Sequence, residues 1–239
     1  MIKGRGLLAM ALESIDADEY LFYANGISNS VLSQISANNF EIKEIREIAQ
    51  SNTDRTFVYF STSQVNSKVN HTRPYVKHKL FIEELIIDLF PKYVIIRTSN
   101  LVGNNPWNTH TLFNFLYNSL TLSQQIILNP GLRRNFLDTA HFTLLLKAYL
   151  ENYPINKVIE IVNPASFTMA EIISEFERYF SKKFIVTSVW ETNDFALFEL
   201  NTQLSTELFA KCPISTNDYI QCLLKKYYRV DTFIKRTVK

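Results

Sequence analysis

Four short apolar runs are spaced along the chain before residue 165. They are rich in β-branched and aromatic side chains, and they lie at residues 20–24, 56–60, 93–96 and 158–162. Runs of this length and content predict strands that are buried on both faces of a parallel sheet.

Between these runs the apolar residues recur at helical spacing. Residues 40–50 place Ile42, Ile45 and Ile48 on one stripe, and residues 75–90 form a second amphipathic pattern. Strands that alternate with amphipathic helices predict an α/β fold with helices on both faces of the sheet.

The pattern changes after about residue 167. It there predicts a helix at residues 169–180, a short strand near residues 184–189 and a final helix near residues 216–228. We interpret this tail as a smaller C-terminal lobe.

Composition narrows the class of protein. The 239 residues, 46% of them hydrophobic, are enough for one substantial core and require no further domain. The 25 Lys and Arg against 23 Asp and Glu give a net charge of +2, which lacks the basic footprint of a nucleic-acid binder. No apolar segment approaches the length of a membrane span, and Glu13 ends the N-terminal apolar stretch too early for a signal peptide. We therefore expect a cytoplasmic protein without nucleic-acid or membrane partners.

The two cysteines predict neither a metal site nor a disulfide. Cys212 and Cys222 have no second pair and no flanking histidines. We expect free thiols and no bound metal.

A tyrosine and a lysine stand where they could do chemistry. Tyr75 and Lys79 begin the helix after Pro74, and their i,i+4 spacing places both on one face. A lysine ammonium favours the phenolate and lowers the tyrosine pKa toward neutrality, which makes the phenol a usable acid or base. The alternative is structural, with Tyr75 as a half-buried aromatic at the helix start and Lys79 as a solvated charge.

The context of this pair resembles the extended short-chain dehydrogenase/reductase enzymes, the group of nucleotide-sugar epimerases, 4,6-dehydratases and 4-ketoreductases. Residues 95–103 are similar to the strand of that family that ends in Arg, Asn and Gly, and residues 134–138 are similar to its Arg-Asp-Phe segment. Residues 158–169, with Asn163 and Pro164, look like its late strand into the substrate lobe. The matches are collinear along most of the chain.

The resemblance implies catalytic roles for three residues. Tyr75 and Lys79 match the catalytic pair of the family, and Thr62 matches its catalytic Ser/Thr, with Ser61 and Ser63 as near alternatives. A hydroxyl at this strand end can hydrogen-bond the same substrate oxygen as the phenol while charge develops there.

The resemblance also implies binding residues. Asn100 is expected to contact the nucleotide sugar together with Ser63, and Arg134 is expected to hold its diphosphate. The residues that it implies for cofactor binding in this part of the chain are Ala24, Asn25, Gly26, Ser61 and Lys79. The expected division is a nucleotide-binding core at residues 1–103 and 135–163 and a substrate-binding lobe at residues 104–134 and 164–239.

One departure bears on the reaction. Dehydratases of the family carry an Asp-Glu pair directly after the catalytic threonine, and this chain has Ser63 and Gln64 there. Neither side chain can act as a carboxylate acid or base. A dehydratase is therefore disfavoured, which leaves net reduction or the transient oxidation of an epimerase.

The N-terminus carries a candidate phosphate loop. Gly4, Arg5 and Gly6 begin a GxGxxA pattern before a predicted helix at residues 7–14. Glycines of this kind permit a tight turn and the close approach of a pyrophosphate to a helix start. The alternative is a flexible N-terminal turn.

The expected Rossmann-like sheet is shortened. Only residues 15–19 separate the first helix from the run at residues 20–24, which looks like the fourth strand of the family, so no room remains for strands 2 and 3. The adenosine pocket should then be incomplete. Arg5 is the nearby candidate for a contact with a 2′-phosphate, so the expected cofactor is NADP or NAD, with a weak preference for NADP.

The deletion also affects the topology. In the complete fold the first helix leads to strand 2 on one side of strand 1, whereas here it would lead to the strand on the other side. A right-handed crossover would move this helix to the opposite face of the sheet. Either the helix has moved or the crossover is left-handed.

These observations favour a reductase of a nucleotide-linked 4-keto-6-deoxy sugar, with an epimerase as the alternative in the same class. The second hypothesis is a non-catalytic or regulatory member of the fold that binds a nucleotide or a partner, because the adenosine-reading strands are missing. Family resemblance also implies a homodimer formed through the helices at residues 40–50 and 75–90.

Overall fold

The computed structural model describes residues 1–27, 35–51, 54–104, 111–189 and 200–229. The described strands are β1 (Ile2–Lys3), β2 (Tyr20–Tyr23), β3 (Thr56–Thr62), β4 (Tyr93–Thr98), β5 (Asn100–Val102), β6 (Gln125–Leu128), β7 (Arg133–Arg134), β8 (Phe136–Asp138), β9 (Lys157–Ile161), β10 (Phe167–Thr168) and β11 (Ile185–Ser188). The described α-helices are α1 (Leu7–Leu12), α2 (Ile35–Ser51), α3 (Pro74–Leu89), α4 (Leu112–Thr121), α5 (Thr139–Asn152), α6 (Met169–Phe180), α7 (Gln203–Lys211) and α8 (Tyr219–Tyr227). None of these helices is long and apolar enough to cross a bilayer.

The central sheet is parallel. Within the described residues it has the strand order β1-β2-β3-β4-β9. The four apolar runs form β2, β3, β4 and β9, which confirms the predicted α/β fold. No described strand pairs with the outer edge of β1, in agreement with a sheet that lacks strands 2 and 3.

Two apolar clusters cover the two faces of the sheet. Phe22 and Val58 belong to a cluster with residues of α1, α5 and α7. Their neighbours Leu21 and Phe57 point the other way, into a cluster with α2 and α3. Burial of side chains of this size contributes about 1.5–3 kcal/mol each. Helices on both faces therefore hold the strands in place.

The first helix lies on the face of α5. Leu12 is buried in the α5 cluster, and the Thr143 hydroxyl donates a hydrogen bond to the Ala11 carbonyl oxygen at 3.2 Å. The strands β1 to β4 follow one another across the sheet, while α2 and α3 cover the opposite face. The β1-α1-β2 crossover therefore has the opposite hand to the β2-α2-β3 and β3-α3-β4 crossovers. Because nearly all such crossovers are right-handed, this first one is left-handed, and the helix has not changed face.

A third apolar cluster joins α4, α6 and α8 through side chains that include Phe113, Phe176 and Leu223. The two-part division predicted from the sequence stays a prediction. The helix α7, which that division assigned to the lobe, packs on the sheet through Leu208 and Phe209. Residues 105–110, 190–199 and 230–239 of the predicted lobe lie outside the described residues.

Candidate active site

The start of α3 meets the carboxyl end of β3. Arg73 is the N-cap of α3 and Pro74 is its first residue, a position where proline loses no helical hydrogen bond. Tyr75 and Lys79 then project from one face of the helix toward β3, whose last residue is Thr62. The sequence therefore brings together the three residues predicted to be catalytic.

Thr62 is the strand-end hydroxyl that contacts the tyrosine. Burial raises the pKa of Tyr75, the hydrogen bond with Thr62 lowers it and the charge of Glu41 raises it, which leaves the pKa at about 12. The phenol is therefore protonated at neutral pH. The sequence predicted a pKa lowered toward neutrality, and in this structure that prediction is wrong.

The orientation of Lys79 explains the difference. Its Nζ donates hydrogen bonds to the Tyr59 hydroxyl at 2.8 Å and to the Phe60 carbonyl oxygen at 3.5 Å. It lies 3.7 Å from Oε1 of Glu41 and 6.0 Å from the centre of the Tyr75 ring. Only 2% of the residue is exposed, so Lys79 is not the solvated charge of the structural alternative. Its ammonium is directed toward partners on β3 and α2.

Glu41, on α2, is an acid of this site that the sequence analysis missed. Its Oε1 accepts a hydrogen bond from the Tyr59 hydroxyl at 2.8 Å, and its Oε2 lies 2.8 Å from Nε2 of His78. The N–H of Ile27 also donates to Oε2, at 3.2 Å. Burial raises the pKa of Glu41. The charge of Lys79 and these hydrogen bonds lower it by a larger amount, so the pKa is about 2. Glu41 is therefore a buried carboxylate at neutral pH.

A signal for Glu41 is present in the sequence. It stands at helical spacing from Ile45 and Ile48, so it continues the apolar stripe of α2 into the protein. An acid on such a stripe is buried and needs a charged partner.

Gly26 fits against this buried group. A Cβ at this position would lie 2.9 Å from Oε1 of Glu41 and 3.0 Å from Nζ of Lys79. Only glycine leaves both charged groups where they are. Gly26 thus lies against Glu41 and Lys79, and the cofactor role predicted for it stays a prediction.

The other two hydroxyls at the end of β3 are turned toward the protein. Ser61 donates a hydrogen bond to Oε1 of Glu83, which also binds the Arg97 guanidinium. Ser63 donates to the Thr98 carbonyl oxygen at 3.2 Å. Neither hydroxyl hydrogen therefore points at Tyr75.

The candidate phosphate loop packs against the end of β2. Gly4 has a φ of +133°, and a Cβ on it would lie 2.5 Å from the Ala24 carbonyl oxygen. No other residue fits there without displacement. A Cβ on Gly6, the N-cap of α1, would meet no atom within 4 Å. Open space therefore lies beside the loop.

The remaining cofactor candidates flank this loop. Arg5 is exposed. The side-chain amide of Asn25 donates a hydrogen bond to Oε2 of Glu44 at 3.0 Å, which fixes its orientation against α2.

Arg134, on β7, lies near Arg73 at the start of α3. Burial lowers the pKa of Arg134, and the charge of Arg73 lowers it further. Within the described residues, no carboxylate acts on this pKa in the opposite direction. A second positive charge this close to Arg134 favours an anion bound at the Arg134 guanidinium. Arg73 is the second site residue that the sequence analysis missed.

Asn100 stands at the start of β5, next to the same segment. Its side-chain amide donates a hydrogen bond to the Asn135 carbonyl oxygen at 3.0 Å. This bond fixes the side chain and leaves its own carbonyl oxygen as an acceptor.

Comparison with known proteins places this fold. No family model and no curated protein matches the sequence. Among solved structures, UDP-glucuronic acid 4-epimerase from Bacillus cereus, in complex with UDP-glucuronic acid and NAD, matches with a TM-score of 0.68 and 17% identity over 96% of this chain and 79% of that one. RMD from Pseudomonas aeruginosa, complexed with NADPH, matches with a TM-score of 0.67 and 12% identity over 87% of this chain and 80% of that one. The dTDP-glucose 4,6-dehydratase from Bacillus anthracis, in complex with NAD, matches with a TM-score of 0.66 and 12% identity over 91% of this chain and 73% of that one.

These similarities define the class of fold. The chain has the Rossmann-like α/β fold of the NAD-dependent epimerase/dehydratase structures, that is, of the extended short-chain dehydrogenase/reductase group. The resemblance inferred from the sequence motifs is thus confirmed in the three-dimensional fold.

Proposed function

We propose that this protein is an NAD(P)-dependent oxidoreductase that reduces a nucleotide-linked 4-keto-6-deoxy sugar during the synthesis of surface-polysaccharide precursors. The observation that carries the proposal is the hydrogen-bonded pair of Thr62 and Tyr75 at the carboxyl end of the sheet, with Lys79 on the same face of α3. The folds of two epimerase and dehydratase structures that hold NAD support the same chemistry.

The protonation state of Tyr75 favours reduction. Reduction of a ketone requires a proton at the carbonyl oxygen, and a phenol with a pKa of about 12 carries that proton at neutral pH. The Thr62 hydroxyl can hydrogen-bond the same oxygen, and its hydrogen bond also stabilises the phenolate that remains after the proton is given up. An epimerase must first remove a proton from an alcohol, for which a phenolate is needed.

The residues at the N-terminus fit one half of a nicotinamide dinucleotide. The close approach of Gly4 to Ala24 and the open space beside Gly6 suit a pyrophosphate. When bound, the nicotinamide supplies the hydride. Arg5 is exposed beside the loop and is our candidate for a 2′-phosphate contact, which favours NADP over NAD.

The substrate would bind through its diphosphate. Arg134 offers charge-assisted hydrogen bonds to phosphate oxygens, and the nearby positive charge of Arg73 also attracts an anion there. Asn100 offers its amide oxygen to a sugar hydroxyl, and Ser61 and Ser63 offer hydroxyl oxygens as acceptors, because their hydrogens are already donated.

The experiment is a panel of nucleotide-linked sugars mixed with the protein and NADPH. We expect loss of NADPH absorbance with 4-keto-6-deoxy sugars and none with the corresponding alcohols. Interconversion of two sugars without net oxidation of cofactor would identify an epimerase instead. Absence of both reactions, with NADPH bound, would contradict the proposal.

A second candidate is a non-catalytic protein that binds a nucleotide or a partner. The free edge of β1 favours it, because no described strand forms the adenosine side of the cofactor site. Titration with NADH and NADPH distinguishes this candidate from the reductase, because the reductase must bind one of these cofactors and the non-catalytic protein need bind neither.

We further propose a homodimer formed by α2 and α3. These helices expose large apolar side chains, with Phe40 at 60% and Phe81 at 44% exposure. Exposed side chains of this kind suit a helix–helix interface. Light scattering should give twice the monomer mass of 27.8 kDa.

A further inference from the structure

We propose that Glu41 is a positioning residue of the active site, which holds Lys79 as an ammonium ion through a direct charge contact and through the bridging hydroxyl of Tyr59. The inference rests on the proposed catalytic role of Tyr75 and Lys79 and assigns the group that prepares this lysine.

The geometry gives Glu41 two routes to Lys79. The Lys79 ammonium donates to the Tyr59 hydroxyl at 2.8 Å, and that hydroxyl donates in turn to Oε1 of Glu41 at 2.8 Å. The ammonium also lies 3.7 Å from the same oxygen. Glu41 is 1% exposed and Lys79 is 2% exposed, so water does not screen the contact.

Burial makes the carboxylate necessary. An ammonium taken out of water without a counter-ion loses its proton at neutral pH. Burial indeed lowers the pKa of Lys79, and the charge of Glu41 is the largest influence that raises it again. Removal of that charge therefore favours the neutral amine.

Glu83 does not replace Glu41 in this role. It also acts on Lys79, but its carboxylate is bound by the Arg97 guanidinium, at 2.6 Å from Nη2, and by Ser61. Its charge is thus already paired. Within the part of the chain that the structure describes, no arginine binds Glu41; His78 contacts its Oε2, and its Oε1 faces Lys79.

His78 and Ile27 fix the carboxylate of Glu41 in place. Both contact Oε2, at 2.8 Å and 3.2 Å, while Oε1 is left to Tyr59 and Lys79. The titratable groups that face this pair come from α2, α3, β2 and β3, and they are Glu44, Tyr75, His78, Glu83, Tyr23 and Tyr59.

The charge state of Lys79 affects the Tyr75 phenol. Across the 6.0 Å from its Nζ to the centre of the Tyr75 ring, a charged Lys79 attracts the phenolate that Tyr75 becomes after it gives up its proton. A neutral Lys79 does not. The charge of Glu41 itself raises the pKa of Tyr75, and the Lys79 ammonium that Glu41 holds acts against this rise.

The test is the titration of Lys79 in Glu41→Gln, which keeps the shape and one acceptor oxygen but removes the charge. The ε-carbon of Lys79 is followed by ¹³C NMR against pH in the full chain, and its signal is assigned by its loss in Lys79→Met. We expect the titration midpoint to fall by about two pH units or more. Glu47→Gln removes an exposed charge from the same helix and should leave the midpoint unchanged. An unchanged midpoint in Glu41→Gln would overturn the proposal.

Unfolding measurements cover the case in which Glu41→Gln folds poorly. Glu41→Gln and Lys79→Met each leave one buried charge unpaired, whereas the double variant leaves none. We expect the double variant to be more stable than either single variant. A double variant whose loss of stability equals the sum of the two single losses would overturn the proposal. Neither measurement uses cofactor or substrate, so a failure of the proposed reductase activity would be seen separately.

Discussion

The Thr62 hydroxyl at the end of β3 is hydrogen-bonded to the Tyr75 phenol at the start of α3. Its neighbours Ser61 and Ser63 donate instead to Glu83 and to the Thr98 carbonyl oxygen. A substrate carbonyl oxygen within reach of the phenol would therefore meet Thr62 rather than either serine. The contact favours Thr62 over the two serines, and the catalytic role of Thr62 stays a prediction.

Tyr75→Phe keeps the ring and removes the proton donor. We expect the kcat for NADPH-dependent reduction to fall by about 10²-fold or more, with folding intact. Thr62→Val, which removes only the supporting hydrogen bond, should cost less. Tyr153→Phe removes a phenol that contacts Lys211 and should leave the kcat unchanged. Turnover near that of the wild type in Tyr75→Phe would remove the tyrosine from the mechanism.

Arg134→Ala should weaken binding of a nucleotide diphosphate sugar by roughly 1.5–3 kcal/mol, because it removes charge-assisted hydrogen bonds from a half-buried position. Arg73→Ala removes the second positive charge beside Arg134 and should weaken binding by a smaller amount. Arg133→Ala is the matched control, since this neighbour is exposed and its guanidinium donates to the Ser166 carbonyl oxygen. Calorimetry measures all three. Equal losses in Arg133→Ala and Arg134→Ala would point to general charge rather than to a site.

Gly4→Ala and Gly6→Ala form a contrasting pair. The first places a Cβ 2.5 Å from the Ala24 carbonyl oxygen at a φ of +133°, so we expect a lower unfolding temperature. The second meets no protein atom within 4 Å and should fold normally. If a pyrophosphate occupies the space beside Gly6, the second variant should still bind NADPH more weakly. Wild-type NADPH affinity in a folded Gly6→Ala would place the cofactor elsewhere.

Much of the sheet and some helix ends could be predicted because their signals are local. The bounds predicted for α6 agree with the structure, since Thr168 and Glu171 form a capping box before it and Ser181 ends it in the left-handed conformation. The sheet strands are apolar on both faces, so their runs stand out without knowledge of their neighbours.

The parts that were missed depend on contacts between distant segments. The bonds of Glu41 to His78 and Tyr59 join α2 to α3 and β3, and only the folded sheet brings these elements together. The same holds for the approach of Arg73 to Arg134. The hand of the first crossover depends on which helix α1 packs against, and α5 was not predicted at all.

Glu160, on β9, should make the fold less stable as the pH rises. Burial raises its pKa to about 7, against the lowering effects of hydrogen bonds from Asn201 and Asn66 and of the charge of Arg97. A carboxyl whose pKa is raised by folding contributes stability below its ordinary value and loses it as the pH rises through the folded value. Glu160→Gln removes this titration. Relative to the wild type, it should gain roughly 2–3 kcal/mol in free energy of unfolding between about pH 4 and about pH 9.

The comparison of the two proteins isolates Glu160. Burial lowers the pKa of His141, which acts in the opposite direction in the same pH range, but it does so equally in both proteins. Urea unfolding across the pH range gives the difference directly. Glu207→Gln, at an exposed position, is the control for the loss of one carboxyl charge. A constant difference for Glu160→Gln would show that its carboxyl does not titrate near neutrality.

The free edge of β1 predicts that the adenosine half of a dinucleotide adds little to its binding affinity. No described strand stands beyond β1 to cover an adenosine, so that half of the cofactor would bury little apolar surface. We expect a Kd for NADPH that is micromolar or weaker, and reduced nicotinamide mononucleotide should bind almost as tightly as NADH, which has the adenosine but no 2′-phosphate.

The two ligands are compared by calorimetry, with Arg5→Ala as a probe of the 2′-phosphate. If Arg5 contacts that phosphate, the variant should lose affinity for NADPH and keep its affinity for NADH. An advantage of NADH over the mononucleotide of about 100-fold, or roughly 2.7 kcal/mol, would reveal an adenosine pocket formed in some other way. Failure of every one of these ligands to bind at millimolar concentration would favour the non-catalytic candidate, because the Tyr75 phenol would then have no hydride donor beside it.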